Sequence, residues 1–282
     1  MRVDLQSVNG HEEFVPENWL WTDKSSSVSK QMGCSILYGE SRIDQQTKIW
    51  LKAAKDLAET NVNSFTHNIV AHEYECYEKL SLLPNISQTL APISKVDMSS
   101  CFFDEFDFAF IVQDLPPLFA SNIQDWSIDQ IFNRLFLALN ALEQWEKDQW
   151  IHADLKAAHF RLLKNQAKLI DFGLAHPKSS VRGSIYATPR YMAPELFHAE
   201  AKTMQSELYA LGVIALEWLN QKKMQQRSYQ DWAILHCQQS FLDLPAKFKI
   251  LEEFILGLIS KHKSARFQSV IEAKTTLLKC FV

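Results

Sequence analysis

Two short blocks at a fixed separation constrain this chain more than any other feature. His152-Ala153-Asp154-Leu155-Lys156-Ala157-Ala158-His159 sets an aspartate and a lysine two residues apart in a loop. Ile170-Asp171-Phe172-Gly173 supplies a second aspartate, 17 residues beyond the first, after an apolar segment and in a tight turn. A third block, Ala193-Pro194-Glu195, begins 20 residues beyond Gly173.

The surrounding pattern sets the architecture. Met32 to Tyr38 and Thr47 to Ala53 read as strands joined by a polar turn, and Trp19 and Trp21 pack an N-terminal strand. Residues 68–83 are helical up to Pro84. Phe106 to Gln113 suits a buried strand, after which Asp114-Leu115-Pro116-Pro117 breaks the chain as a hinge would. Beyond it, Ile128, Ile131, Phe132, Leu135, Phe136, Leu139, Leu142 and Trp145 recur at helical spacing. Ser206 to Leu219 reads as a buried central helix, and Phe248 to Ile259 and Ser269 to Leu278 as two more. The expectation is an α+β chain. Residues 1–18 form a lead-in, 19–113 a small β-rich lobe with one main helix, and 114–282 a larger helical lobe.

Bulk properties remove several classes of function. The chain has 282 residues, 47% hydrophobic and 22% charged, as expected of a soluble globular protein. A net charge of −4 gives no footprint for nucleic acid. No apolar run approaches the length of a membrane span, and no signal peptide is visible. The five cysteines are widely spaced, with no Cys-x-x-Cys pair, so a reducing cytoplasm is the simplest compartment. His67, His72, His176, His198, His236 and His262 show no metal-ligand spacing.

The residue types of the first two blocks are those that phosphoryl transfer needs. One carboxylate orients the attacking hydroxyl, one ammonium neutralises the moving phosphate, and one carboxylate holds the metal that bridges the phosphates. A carboxylate is intrinsically a poor base for an alcohol, so the role of Asp154 is to orient the hydroxyl and accept its proton late. Lys156 supplies the positive charge.

The order of the three blocks resembles the signature set of protein kinases, and the resemblance extends over roughly residues 20 to 280. It implies a two-lobed kinase-like fold and ATP-dependent transfer to Ser/Thr hydroxyls of proteins, autophosphorylation included, since a lysine at the offset of Lys156 resembles Ser/Thr kinases. Lys52 stands where the family's phosphate-binding lysine falls, with Glu73 as its partner; Glu75 and Glu78 compete. Backbone groups around Gln113, Asp114 and Leu115 would bind adenine. Asp171 would hold Mg²⁺ or Mn²⁺. Thr188 would bridge Asp154 and Lys156 within a segment that cradles a peptide. Glu195 needs a buried partner, for which Arg266 resembles the family's arginine, and Glu207 takes the place of an aspartate that caps the catalytic-loop backbone.

Three departures from the pattern stand out. No Gly-x-Gly-x-x-Gly exists among seven glycines, so the nucleotide-covering loop is either Val28 to Gly33, with Gly33 its single glycine, or Ser25 to Val28. Ala153 replaces an arginine that pairs with a phosphorylated activation segment, so activity is expected not to depend on that switch. His159 replaces a metal-binding asparagine. It either ligates a metal through nitrogen, which suits Mn²⁺ better than Mg²⁺, or hydrogen-bonds phosphate or Asp154, or marks a decayed site. Asp-x4-His also resembles sugar kinases of lipopolysaccharide-core synthesis, so a small-molecule kinase and a pseudokinase binding module stay open as alternatives. Nothing in the sequence names the protein substrate or the oligomeric state.

Overall fold

A computed structural model describes residues 15–26, 34–44, 46–54, 67–98, 106–180 and 188–281. The chain divides into two compact units, residues 1–82 with 90–116, and residues 83–89 with 117–282. The fold is α+β, with a β-sheet in the first unit and a mainly helical second unit.

In the first unit, β1 (Trp19–Asp23), β2 (Cys34–Ser41) and β3 (Lys48–Ala54) are followed by α1 (His67–Ser81), β4 (Ile93–Lys95) and β5 (Phe108–Gln113). The strands form one antiparallel sheet in the order β1-β2-β3-β5-β4. Period-two alternation sorts their side chains. Ile49, Leu51 and Ala53 of β3 join Ala109, Ile111 and Val96 in an apolar core on one face, with Trp19, Trp21 and Leu37 packed against it. Gly39 lies opposite Trp21, and a Cβ there would sit 2.7 Å from the indole, so only glycine admits that ring. Lys48, Trp50 and Lys52 belong to the opposite face. There Tyr74 of α1 packs on Phe108 and Phe110 of β5, each with ring centroids 5.7 Å apart.

The second unit holds α2 (Ile128–Lys147), β6 (Trp150–Ile151), β7 (Phe160–Leu163), β8 (Gln166–Leu169), β9 (His176–Pro177), α3 (Met204–Asn220), α4 (Tyr229–Gln238), α5 (Glu252–Ile259) and α6 (Val270–Lys279). β6 pairs with β9 and β7 with β8, so two small hairpin-like ladders carry the polar loops. Ser127 caps α2 through a reciprocal pair with Gln130, which satisfies otherwise orphaned backbone donors. Every residue of α3 from Ser206 to Leu219 is buried, so this helix is the axis of the unit. Gly212 is where α5 comes closest: a Cβ there would lie 2.7 Å from both Leu258 and Ile259.

Residues 83–89 complete this unit. The Asp148 carboxylate accepts the Asn85 and Ile86 backbone N–H groups at 3.0 and 2.8 Å and the Asn85 amide at 2.6 Å. The buried Trp145 indole donates to Thr89 Oγ1 at 3.0 Å. Two segments depart from the expected elements. Ala246–Leu251 is a 3-10 helix, so α-helix begins only at Glu252. α4 was not anticipated, because its Gln-rich surroundings blur the apolar period and only Trp232, Leu235 and His236 are buried.

Candidate functional site

The chemistry-bearing residues form one group in each unit. In the first, strand β3 presents Lys52, whose ammonium lies 2.7 Å from both oxygens of Glu73 on α1. Glu73 is buried, whereas Glu75 and Glu78 are exposed, so of the three competing glutamates the structure pairs Glu73 with the lysine. The Lys52 ammonium also sits 5.8 Å from the Phe110 ring centroid. Further along the same edge, Asp114 N–H donates to the Lys48 carbonyl at 2.9 Å, Gln113 N–H donates to the Pro92 carbonyl at 3.3 Å, and Leu115 is buried. Ser25 Oγ accepts the Ile36 N–H at 2.9 Å. Gly33 and the rest of the stretch from Val28 lie outside the described residues.

In the second unit, Asp154 is the hub. Its Oδ2 lies 2.7 Å from the Lys156 ammonium, and its Oδ1 accepts the Thr188 hydroxyl at 3.0 Å. Asp154 and Thr188 line a small open hollow, together with Ala153, Lys202, Ser206 and Glu207. Ala153 has φ of 71°, a left-handed conformation that strains any residue with a Cβ. Two side chains hold that peptide. The Glu207 carboxylate accepts its N–H at 3.0 Å, and the buried Lys202 ammonium donates to its carbonyl at 2.5 Å. Burial pushes the Glu207 carboxyl up to about 7, against the opposing pull of Lys202 and the Ala153 N–H. Burial likewise lowers Lys202.

His159 and Asp171 meet beside this hub, with Nε2 of the imidazole 3.2 Å from Asp171 Oδ2. Asp171 also adopts a left-handed backbone, φ 70°, at the start of its turn. Phe172 behind it is fully buried against Trp145 and His152. Burial, then the neighbouring His159, pushes His152 down to about 4. His152 is therefore neutral at pH 7; its Nε2 lies 3.1 Å from the Ile170 carbonyl and so carries the proton.

The donor set around Asp171 is compatible with a divalent cation. Asp171 offers a hard carboxylate and His159 a borderline nitrogen, and the second imidazole nitrogen, Nδ1, is buried without a hydrogen-bond partner. Among the described residues no cluster of three or more His, Cys, Asp or Glu side chains could hold a metal by itself. A cation here would take its other ligands from a phosphate-bearing molecule or water, as Mg²⁺ commonly does.

Glu195 and Arg266 are joined by two hydrogen bonds of 2.8 and 3.0 Å. The remaining Arg266 donors go to the carbonyls of Ser260, Gln205 and Lys261, which uses all five N–H groups. Ser206 Oγ adds a bond of 2.9 Å to Glu195. Burial alone would raise the Glu195 carboxyl, but the guanidinium overrides it and holds the group below its ordinary value.

The sequence reading missed Lys202, an isolated lysine in a polar stretch with no motif to mark it. It also missed the role of Trp50, whose indole N–H donates to Asp114 Oδ1 at 2.9 Å. The signal for Trp50 was present in the strand alternation that puts it on the face of Lys52.

The family model of the protein kinase domain matches residues 41–279. Mitogen-activated protein kinase kinase kinase mom-4 of Caenorhabditis briggsae is 30% identical over 92 residues, 32% of this chain and 17% of that protein. Serine/threonine-protein kinase PAK 1 of Mus musculus is 34% identical over 85 residues, 29% of this chain and 16% of its own length. A probable receptor-like protein kinase of Arabidopsis thaliana is 28% identical over 138 residues, 43% of this chain and 15% of that protein. The matched part is thus about a sixth of each of these relatives or less. With the family model matched over most of its length and the α+β fold that goes with it, the chain belongs to the protein kinase family.

Proposed function

We propose that this chain transfers the γ-phosphoryl group of ATP to serine and threonine hydroxyls of proteins, its own included. One observation carries the reading. The Asp154 carboxylate receives an alcohol, the Thr188 hydroxyl, on one oxygen while the other faces the Lys156 ammonium. A substrate hydroxyl taking the place of Thr188 would be oriented by Asp154 and would leave its proton there late in the transfer. Lys156 would offset charge on the phosphoryl group in flight. Lys52, held by Glu73, would bind the non-transferred phosphates, and backbone groups from Gln113 to Leu115 would hold the base. Asp171 and His159 would hold Mg²⁺ or Mn²⁺, which, when bound, neutralises phosphate charge.

The Ser/Thr assignment is supported by Lys156 and by the Ser/Thr kinases among the relatives. Residues 19–113 and 114–282 would act as one catalytic domain. A cytoplasmic setting belongs to the same proposal and rests on the wide spacing of the five cysteines, with no Cys-x-x-Cys pair. No helix among the described residues is long and apolar enough to cross a membrane.

The test is intact-mass spectrometry after incubation with ATP and either Mg²⁺ or Mn²⁺, followed by identification of the phosphorylated residue. The expected result is stepwise gain of phosphoryl groups on Ser or Thr, reduced at least about a hundredfold in Asp154→Asn. Faster incorporation with Mn²⁺ would support His159 as a ligand. Transfer to a free sugar outpacing transfer to any protein would replace the reading with the small-molecule alternative. Absence of transfer to any acceptor would leave a nucleotide- or protein-binding module.

A further inference from the structure

The proposed function places the phosphates at Lys52 and the base at Asp114, and both ends are fixed by strand β3. Asp114 N–H is bonded to the carbonyl of Lys48, four residues from Lys52, which by strand rise is about 13 Å. An extended nucleotide joining these two points must pass over the residue between them on that face. That residue is Trp50, since side chains two apart on a strand share a face.

Trp50 is built as a rigid surface. Its ring edge is tied by the 2.9 Å bond from Nε1 to Asp114 Oδ1. One side is braced by Tyr38, directly opposite on β2, with ring centroids 4.8 Å apart and planes tilted by 53°. Both rings are half-buried, and the core of this unit lies on the other face of the sheet. Helix α1 covers the adjoining part of the Trp50 face through Tyr74, at Phe108 and Phe110. A hydrogen-bonded, partly exposed indole needs no further rotamer ordering to receive a flat heterocycle. Aromatic faces stack on every nucleobase, so such a surface adds affinity without demanding a hydrogen-bond code.

We infer that Trp50, braced by Tyr38 and tethered to Asp114, is a stacking platform for the purine base of the nucleotide. The inference rests on the nucleotide-binding part of the proposed function. It also predicts loose discrimination between ATP and GTP.

The experiment is isothermal titration of the full chain with adenosine and with ATP, in wild type, Trp50→Phe and Trp50→Leu. Trp50→Leu is expected to weaken adenosine and ATP alike, by roughly ten- to a hundredfold. Trp50→Phe keeps a ring but loses the Asp114 tether, and is expected to stay within about threefold of wild type for both ligands. The Phe variant also separates lost stacking from lost folding, because both substitutions remove the indole. Undiminished or tighter adenosine binding by Trp50→Leu would overturn the platform and show that the rings obstruct the face. Wild type that binds adenosine through Trp50 but transfers no phosphate would leave the platform standing and sink the kinase reading. Wild type that binds neither ligand would sink both.

Discussion

Glu195 and Glu207 are equally buried carboxylates of the same unit, yet their surroundings push them in opposite directions. Glu195 faces a guanidinium whose every donor is used, and it ends below its ordinary pKa. Glu207 spends one oxygen on the Ala153 N–H, and its Oε2 has no hydrogen-bond partner. Its cation, Lys202, donates instead to the Ala153 carbonyl, and the carboxyl rises to about 7. In the first pair the two charges bond directly to each other, which ties the Pro194–His198 turn to the chain near Arg266. The second divides its hydrogen bonds over a strained peptide next to Asp154. A buried charge that holds something other than its counter-ion remains sensitive to pH.

Breaking the first pair should have the largest effect. Arg266→Ala leaves Glu195 buried and uncompensated, and should cost about 3–5 kcal/mol in denaturant unfolding. A loss below about 1 kcal/mol would mean that the two carboxylates do not differ as described.

The second pair is tested through pH. The unfolded Glu207 releases its proton near 4.5, while the folded one keeps it to about 7. Between these values the native state holds more protons than the unfolded chain. The group's contribution is therefore complete below pH 4.5 and lost as pH rises through 7, to a total of about 3 kcal/mol. Glu207→Gln should remove that slope. Urea unfolding of wild type and variant at pH 4.5 and 8 gives the comparison, and parallel profiles would place the Glu207 pKa near its ordinary value.

Lys202→Met removes the other half of the clamp. It should destabilise by about 1–3 kcal/mol. The loss should be larger at pH 8, where Glu207 is ionised, than at pH 5. If Asp154 orients the acceptor hydroxyl as proposed, turnover should fall while the KM for ATP holds, because the clamp lies beside Asp154. Ala153→Gly should have the smallest effect and the opposite sign. Glycine relieves the left-handed strain at the cost of added freedom in the unfolded chain, for a net gain of about 0.5–1 kcal/mol in thermal or denaturant melts.

Much of the fold was legible because long periodic segments declare themselves. The apolar spacing from Ile128 to Trp145 and the all-buried run from Ser206 to Leu219 each fall within an observed helix. Alternation around Lys52 gave its strand, and spacing to Pro84 gave α1. The pairing of Glu195 with Arg266 was expected because Arg266 resembles the family's arginine for that role, and the structure joins the two. Lys202 was not readable. Its partner is a backbone carbonyl, which leaves no mark in sequence, and a lysine in a polar stretch looks like any solvated one. α4 escaped for a related reason: a ten-residue helix burying three side chains is set by what it docks on. Trp50 was seen only as a strand residue, since its bond to Asp114 joins positions 64 apart.

The way residues 83–89 complete the helical unit bears on how this molecule can be divided. The unit that begins at Pro117 borrows a short stretch from earlier in the chain, and with it the partners of the Asp148 carboxylate and the Trp145 indole. A fragment starting at residue 117 would lose these partners and would uncover the Trp145 indole, which is buried in the intact chain. A protease cutting between 116 and 117 would nick the backbone without releasing a self-sufficient half. In folding terms the helical unit must wait for a segment made before it. The natural order of synthesis supplies that segment first, and a gene shuffled so that residues 83–89 were lost would not be rescued by keeping every residue from His152 to His159.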